Sequence, residues 1–283
     1  MRFIQSGGDN EGGAISDIEH SLLALRVVRR LVISGYEHPN RHSEIQEFWG
    51  IIRTQFGEML SLVSQHGGSL HPLVRSQIEK HLIQISKLHL EMVKVHPSSF
   101  PFLPDSIGLA KAYWGLLVEF GQTFGSQTAD TSVRIGTDGD ADDDDVPCME
   151  KLSLKGLRLL RACVKMVYNP AHTFKYQNTQ DKEERKQSTN IMKTGLLPEA
   201  LVREMMEVLV TRFFVFRPRD LREWEEEPGE WERREEGEGE VWEFSIRSCA
   251  EKLFLDLVIN NKDLLIQPLL NVFYTVASMC RFP

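Results

Sequence analysis

At 283 residues the chain can bury a sizeable core, as one large domain, two small ones or a repeat array. Its 41% hydrophobic and 26% charged residues are those of a globular chain, and no apolar run approaches the ~18–20 residues needed to cross a bilayer. The net charge of −8 is unevenly spread: residues 138–145 hold six acidic side chains, residues 222–243 hold eleven acidic against three basic, and the remainder carries +6. A mildly basic body with two acidic segments does not suit nucleic acid as a direct ligand, because the acidic segments would repel phosphate.

In chain order the periodicity is that of helices, with hardly any strand signal. After a polar, Gly-containing leader over 1–15, Ser16 and Glu19 form a capping-box pattern. Ile18, Leu22, Leu25, Val28 and Val32 then recur at three- and four-residue steps, and Gly35 ends the run. A second helix carries Ile45, Phe48, Ile52, Phe56 and Leu60 and stops at Gly67-Gly68. The third opens at Pro72, a favoured first-turn residue, and runs through Val74, Ile78, Leu82, Ile85, Leu88 and Met92 to Pro97. A fourth follows Pro104-Asp105 with Ile107, Ala110, Tyr113, Trp114, Leu117 and Phe120 on one side.

Residues 125–147, rich in Gly, Thr and Asp, read as an acidic loop. Helix resumes with Leu157, Leu160, Val164 and Val167; 169–180 is irregular, and 181–193 is a polar, weakly amphipathic helix. Pro198 opens a strong helix with Leu201, Met205, Val208 and Phe213. The acidic segment 218–243 reads as a second loop. Beyond it Ile246, Cys249, Leu253 and Leu257 form one stripe, and the turn Asn260-Asn261-Lys262 leads into Leu265, Leu269, Val272 and Val276, a helical hairpin. Helix pairs spaced about 40–50 residues apart lie near the HEAT range, so the expected fold is an all-α solenoid of HEAT-like antiparallel pairs. An irregular helical bundle shares the same periodicity. The apolar final segment lacks the polar face of a terminal repeat, which leads to the expectation of an array cut from a longer one.

Motifs for catalysis, cofactors and metals are missing: there is no HExxH, GxGxxG, Walker A or GxSxG pattern. Asp138, Asp140 and Asp142 imitate the start of an EF-hand loop, but Asp143 stands where the glycine belongs and Met149 where the bidentate glutamate belongs. His81, His89 and His96 read as surface or interhelical residues without ligand pairing. Cys148, Cys163, Cys249 and Cys280 form no CxxC pair, and Cys163 and Cys249 fall on apolar faces as reduced core residues. No cofactor and no enzyme activity are expected.

The acidic segment is the informative exception. Three of the five tryptophans, Trp224, Trp231 and Trp242, sit among its carboxylates, whereas disordered acidic tails have few aromatics. One reading is a solvated loop stapled down by its tryptophans; the other is an electrostatic surface for a basic partner. On the second reading the partner-binding candidates are Glu223, Glu225, Glu226, Glu227, Glu230, Glu232, Glu235, Glu236, Glu238 and Glu240.

The run Glu223-Trp224-Glu225-Glu226-Glu227-Pro228-Gly229-Glu230-Trp231, followed by Trp242, Arg247, Cys249, Ala250, Leu253 and Leu257, resembles a pattern of the importin-β superfamily, the karyopherins, of importin-11 type. The block LLALRVVRRLVISGYEHPNRHSEIQEFW over 22–49 is similar to middle repeats of the same type. The resemblance implies a HEAT-repeat nuclear transport receptor that binds basic protein cargo and the Ran GTPase, touches Phe-Gly nucleoporins, and works in the nucleus, the cytoplasm and at the nuclear envelope. It makes Trp224, Trp231, Trp242, Arg247, Cys249 and Ala250 structural anchors. No match to the family's N-terminal Ran-binding repeats is present, which implies a fragment whose Ran contact needs those repeats. A HEAT scaffold that assembles proteins without Ran is the alternative.

Overall fold

A computed structural model describes residues 11–66, 68–125, 147–174, 179–236 and 245–279. Every regular element among them is helical, and they fall into two compact units, 1–105 and 106–283. The acidic loop expected at 125–147 lies, except for its ends, outside the described residues, as do Trp242, Glu238, Glu240 and Cys280.

The first unit holds α1 (Glu11–Gly35), α2 (Ser43–His66) and α3 (Pro72–Val95). Helix α1 begins upstream of Ser16, so the expected capping box is not the start of the helix. Leu22, Leu25 and Val32 are buried as the stripe predicts, whereas on α2 the inward residue is Trp49 rather than Phe48. A helix advances 100° per residue, so neighbours at the edge of a stripe compete for the core, and the larger ring wins here. Trp49 lies edge-on to His89 at 5.1 Å and to Phe100 at 5.9 Å, and Phe56 meets the same histidine at 5.2 Å. Burial pushes His89 down to about 3, so its imidazole is neutral inside this aromatic box.

His81 of α3 and His96, which caps its C-terminus, tie the helix to α1. His81 Nε2 meets Ser21 Oγ at 3.0 Å, and His96 Nε2 donates to the Ile33 carbonyl at 2.8 Å. Arg29 pairs with Glu91 across the same interface. These histidines are therefore interhelical connectors. The unit ends in a turn where Asp105 takes a positive φ of 50° and pairs with Arg53.

In the second unit α4 (Ser106–Phe124), α7 (Thr179–Leu196) and α11 (Ile246–Asn260) pack on α5 (Cys148–Tyr168), and the short α6 (Pro170–Thr173) follows α5. Leu157, Leu160, Cys163 and Val164 of α5 are almost wholly buried, as are Cys249, Leu253 and Leu257 of α11. Polar bonds fix the register: Arg161 Nε donates to Asp256 at 2.7 Å, and the Tyr168 hydroxyl donates to Asn261 Oδ1 at 2.8 Å. That asparagine also closes α11, its backbone N–H reaching the Leu257 carbonyl at 3.0 Å before α12 (Lys262–Met279) begins. Burial pushes the Cys163 thiol up, in keeping with an unreactive core residue.

Helix α8 (Glu199–Val208) passes into a single π-type turn over Leu209–Phe213. That turn lies against α4 at Gly121, where an added Cβ would sit 3.1 Å from the Phe213 ring and 3.2 Å from Arg212. The missing side chain lets the two backbones approach, and Arg212 Nη1 donates to the Val118 carbonyl at 2.6 Å across the junction. Phe213 thereby joins Phe124, with centroids 5.4 Å apart.

Candidate partner-binding surface

The acidic segment is not a loop throughout. Its described part forms two nine-residue helices, α9 (Pro218–Glu226) and α10 (Pro228–Glu236). Proline supplies the first helical residue of each, with φ already set and no N–H to satisfy. Asp220 accepts the backbone N–H of Arg217 at 2.8 Å, the carboxylate half of a capping box. Glu and Arg between these signals are good helix formers, so charge density alone misreads the segment as coil. Helix α9 stops because Glu227 precedes Pro228, which disfavours helical backbone there; its φ is −138°. The Glu227 carbonyl then accepts from Trp231 N at 3.0 Å and starts α10.

The root of this helical pair is a buried ion network. Asp220 is 5% exposed. Arg217 reaches it through Nε and Nη2, each at 3.2 Å, and Arg247 at the start of α11 reaches it from the other side. Arg217 also meets Glu150 of α5 at 3.5 Å and lies 4.8 Å over the Phe124 ring. Burial alone would raise the Asp220 carboxyl, but the hydrogen bonds and charge of Arg217, joined by Arg247, hold it below its ordinary value. Asp220 is therefore ionised at neutral pH and fixes the approach of α9 to the core.

From that root an aromatic ladder runs outward. The Arg247 guanidinium lies 4.8 Å over Phe216, Phe216 meets Trp231 at 5.7 Å, and Trp231 meets Trp224 at 6.3 Å. Trp231 is half-buried, while Trp224, the outer rung, is 52% exposed and touches the ladder through one ring. Of the residues expected as anchors, Cys249 and Ala250 are buried in α11 and Arg247 joins α11 to α9. Trp224 instead faces outward.

The candidate glutamates decorate the same two helices. Glu225, Glu226, Glu227, Glu230 and Glu232 are exposed, Glu223 is partly covered, and Glu230 pairs with Arg233 at 3.2 Å. Glu235 and Glu236 close α10. Sequence reasoning overlooked Phe216, Arg217 and Asp220. A signal was there in Arg217-Pro218-x-Asp220, a proline at the first helical position with a carboxylate two residues on. Among the described residues no cluster of His, Cys, Asp and Glu could hold a metal ion, and no helix is long and apolar enough to cross a membrane.

No protein-family model matches the chain. It is 25% identical over 278 residues to importin-11 of Mus musculus, an alignment covering 98% of this chain and 25% of that one. It is 26% identical over 266 residues to the importin beta-like protein KAP120 of Saccharomyces cerevisiae, covering 93% and 23% respectively. In fold it is similar to Lph2, described as a novel bidirectional nuclear transport receptor of S. cerevisiae, with a TM-score of 0.73, 22% identity, and coverage of 96% of this chain and 24% of that one. The chain thus spans about a quarter of the length of the curated relatives it matches. Its helices are those of an all-α, HEAT-like array.

Proposed function

We propose that the chain is a member of the importin-β family, of importin-11 type, and serves nuclear transport by binding protein cargo and the Ran GTPase. The observation that carries this reading is the alignment to importins along nearly the whole chain. The geometry adds a means. Helices α9 and α10 present exposed glutamates on a body that is otherwise mildly basic, and the buried Asp220 network holds them in place. Such a surface attracts a basic protein over about a Debye length, ~8 Å at physiological salt. The protein would then shuttle between cytoplasm and nucleus and touch Phe-Gly nucleoporins at the pore.

The test is retention of Ran on the immobilised full chain, with Ran loaded with GTP or GDP. Retention that favours GTP-loaded Ran, and loss of bound basic cargo when it is added, is the expected result. Capture of basic cargo that ignores Ran in either nucleotide state would replace this reading with a Ran-independent HEAT scaffold.

A further inference from the structure

The outer end of the aromatic ladder is unfinished in a particular way. At its inner end the fold twice places a guanidinium on a ring: Arg247 over Phe216 and Arg217 over Phe124, each at 4.8 Å. At its outer end Trp224 is half exposed, with Leu221, one turn earlier on the same face of α9, 42% exposed beside it. Tryptophan is the strongest aromatic partner for a cation. Glu227, at the junction of α9 and α10 and between Trp224 and Trp231 in the chain, is exposed, as are Glu225, Glu226 and Glu230.

We propose that the Trp224–Trp231 face is an arginine-reading subsite, which seats an arginine side chain from an extended basic segment of a partner protein. The guanidinium stacks on the open Trp224 indole, and an exposed carboxylate of the α9–α10 junction accepts its in-plane N–H groups. The neighbouring glutamates of α9 and α10 supply the sign of charge that selects a basic partner. Arginine suits this surface better than lysine for two physical reasons. Its planar, weakly hydrated cation stacks on an indole with little desolvation, and its fork of donors matches a carboxylate. The inference rests on the basic-partner reading above and deepens it by naming the group that is read.

The test uses the full chain and two peptides of equal length and charge, octa-arginine and octa-lysine, titrated at fixed ionic strength with tryptophan fluorescence and calorimetry as readouts. The wild-type chain is expected to bind octa-arginine about threefold to thirtyfold more tightly than octa-lysine, the range set by one cation–π contact. Trp224→Ala is expected to erase that preference while leaving salt-sensitive binding of both peptides. Trp224→Phe, which keeps an aromatic face, is expected to retain part of it. Trp224 is exposed, so both variants should keep the wild-type melting temperature. Equal affinities for the two peptides in the wild type, or an undiminished arginine preference in Trp224→Ala, overturns the subsite and leaves the basic-partner reading standing. Absence of salt-sensitive binding of either peptide overturns both.

Discussion

Replacing Asp220 with asparagine tests whether α9 and α10 are held by a buried charge or merely rest on the surface. The Asp220, Arg217 and Arg247 side chains are 7%, 17% and 12% exposed, so solvent screens them little. The substitution leaves two guanidinium groups without their shared carboxylate. Removing one partner of a buried pair costs about 3–5 kcal/mol. The lower end applies here, because Arg217 keeps Glu150 at 3.5 Å and both arginines keep a ring beneath them. A loss of about 3 kcal/mol is roughly a hundredfold in the local opening equilibrium. Hydrogen exchange of amides in α9 and α10 reads it directly, and urea unfolding of the second unit gives a companion value. The pH dependence adds a check of sign. The native Asp220 carboxyl is held below its ordinary value. Its contribution is therefore complete above the unfolded pKa of ~3.9 and lost as pH falls through the lower folded value. The gap between wild type and Asp220→Asn should stay constant from pH 7 to about pH 4.5. A change in α9 exchange below threefold, or a gap that closes between pH 7 and 5, would refute the reasoning.

Four further outcomes follow from the packing of the helices. His89 is neutral in the fold at about 3, so stability is complete above the unfolded value of ~6.5 and falls by ~1.4 kcal/mol per pH unit beneath it. Unfolding of the first unit should lose about 2–3 kcal/mol between pH 7 and 4.5, and His89→Gln should flatten that slope. At Gly121 a leucine should destabilise by about 1–3 kcal/mol by forcing apart Arg212 and Phe213. By contrast Gly57→Ala, within α2 and with nothing within 4 Å, should stabilise by ~0.5–1 kcal/mol in the same urea assay. Finally Cys148, Cys163 and Cys249 are buried and unbridged, so a thiol reagent should label them only after denaturant is added. Rapid labelling of Cys163 in the native chain would contradict its raised thiol and its place in α5.

The stripes of α1, α4, α5 and α11 could be read in one dimension, because each side chain buried there repeats at helical spacing. What escaped the reading were choices that spacing leaves open. Phe48 and Trp49 both border the α2 stripe, and only the packing of His89 and Phe100 decides for Trp49. The acidic segment was legible as a special surface from its tryptophans, yet its helices were not, since proline and carboxylate caps carry little weight in a hydrophobic pattern. The Asp220 network was the least visible part. It joins Arg247 to Asp220 across 27 residues and Arg217 to Glu150 across 67. No local pattern in sequence announces such pairings. Of that network the resemblance to importins included Arg247 alone.

On the proposed function, the glutamates of α9 and α10 recruit a basic protein. The most direct measurement is the salt dependence of binding to basic cargo, compared between the wild-type chain and a charge-reversed one carrying lysine in place of Glu225, Glu226, Glu227, Glu235 and Glu236. The wild type should lose affinity steeply as salt rises, and the reversed chain should bind weakly at every salt concentration with a nearly flat profile. Equal affinities and equal slopes for the two proteins would contradict the claim.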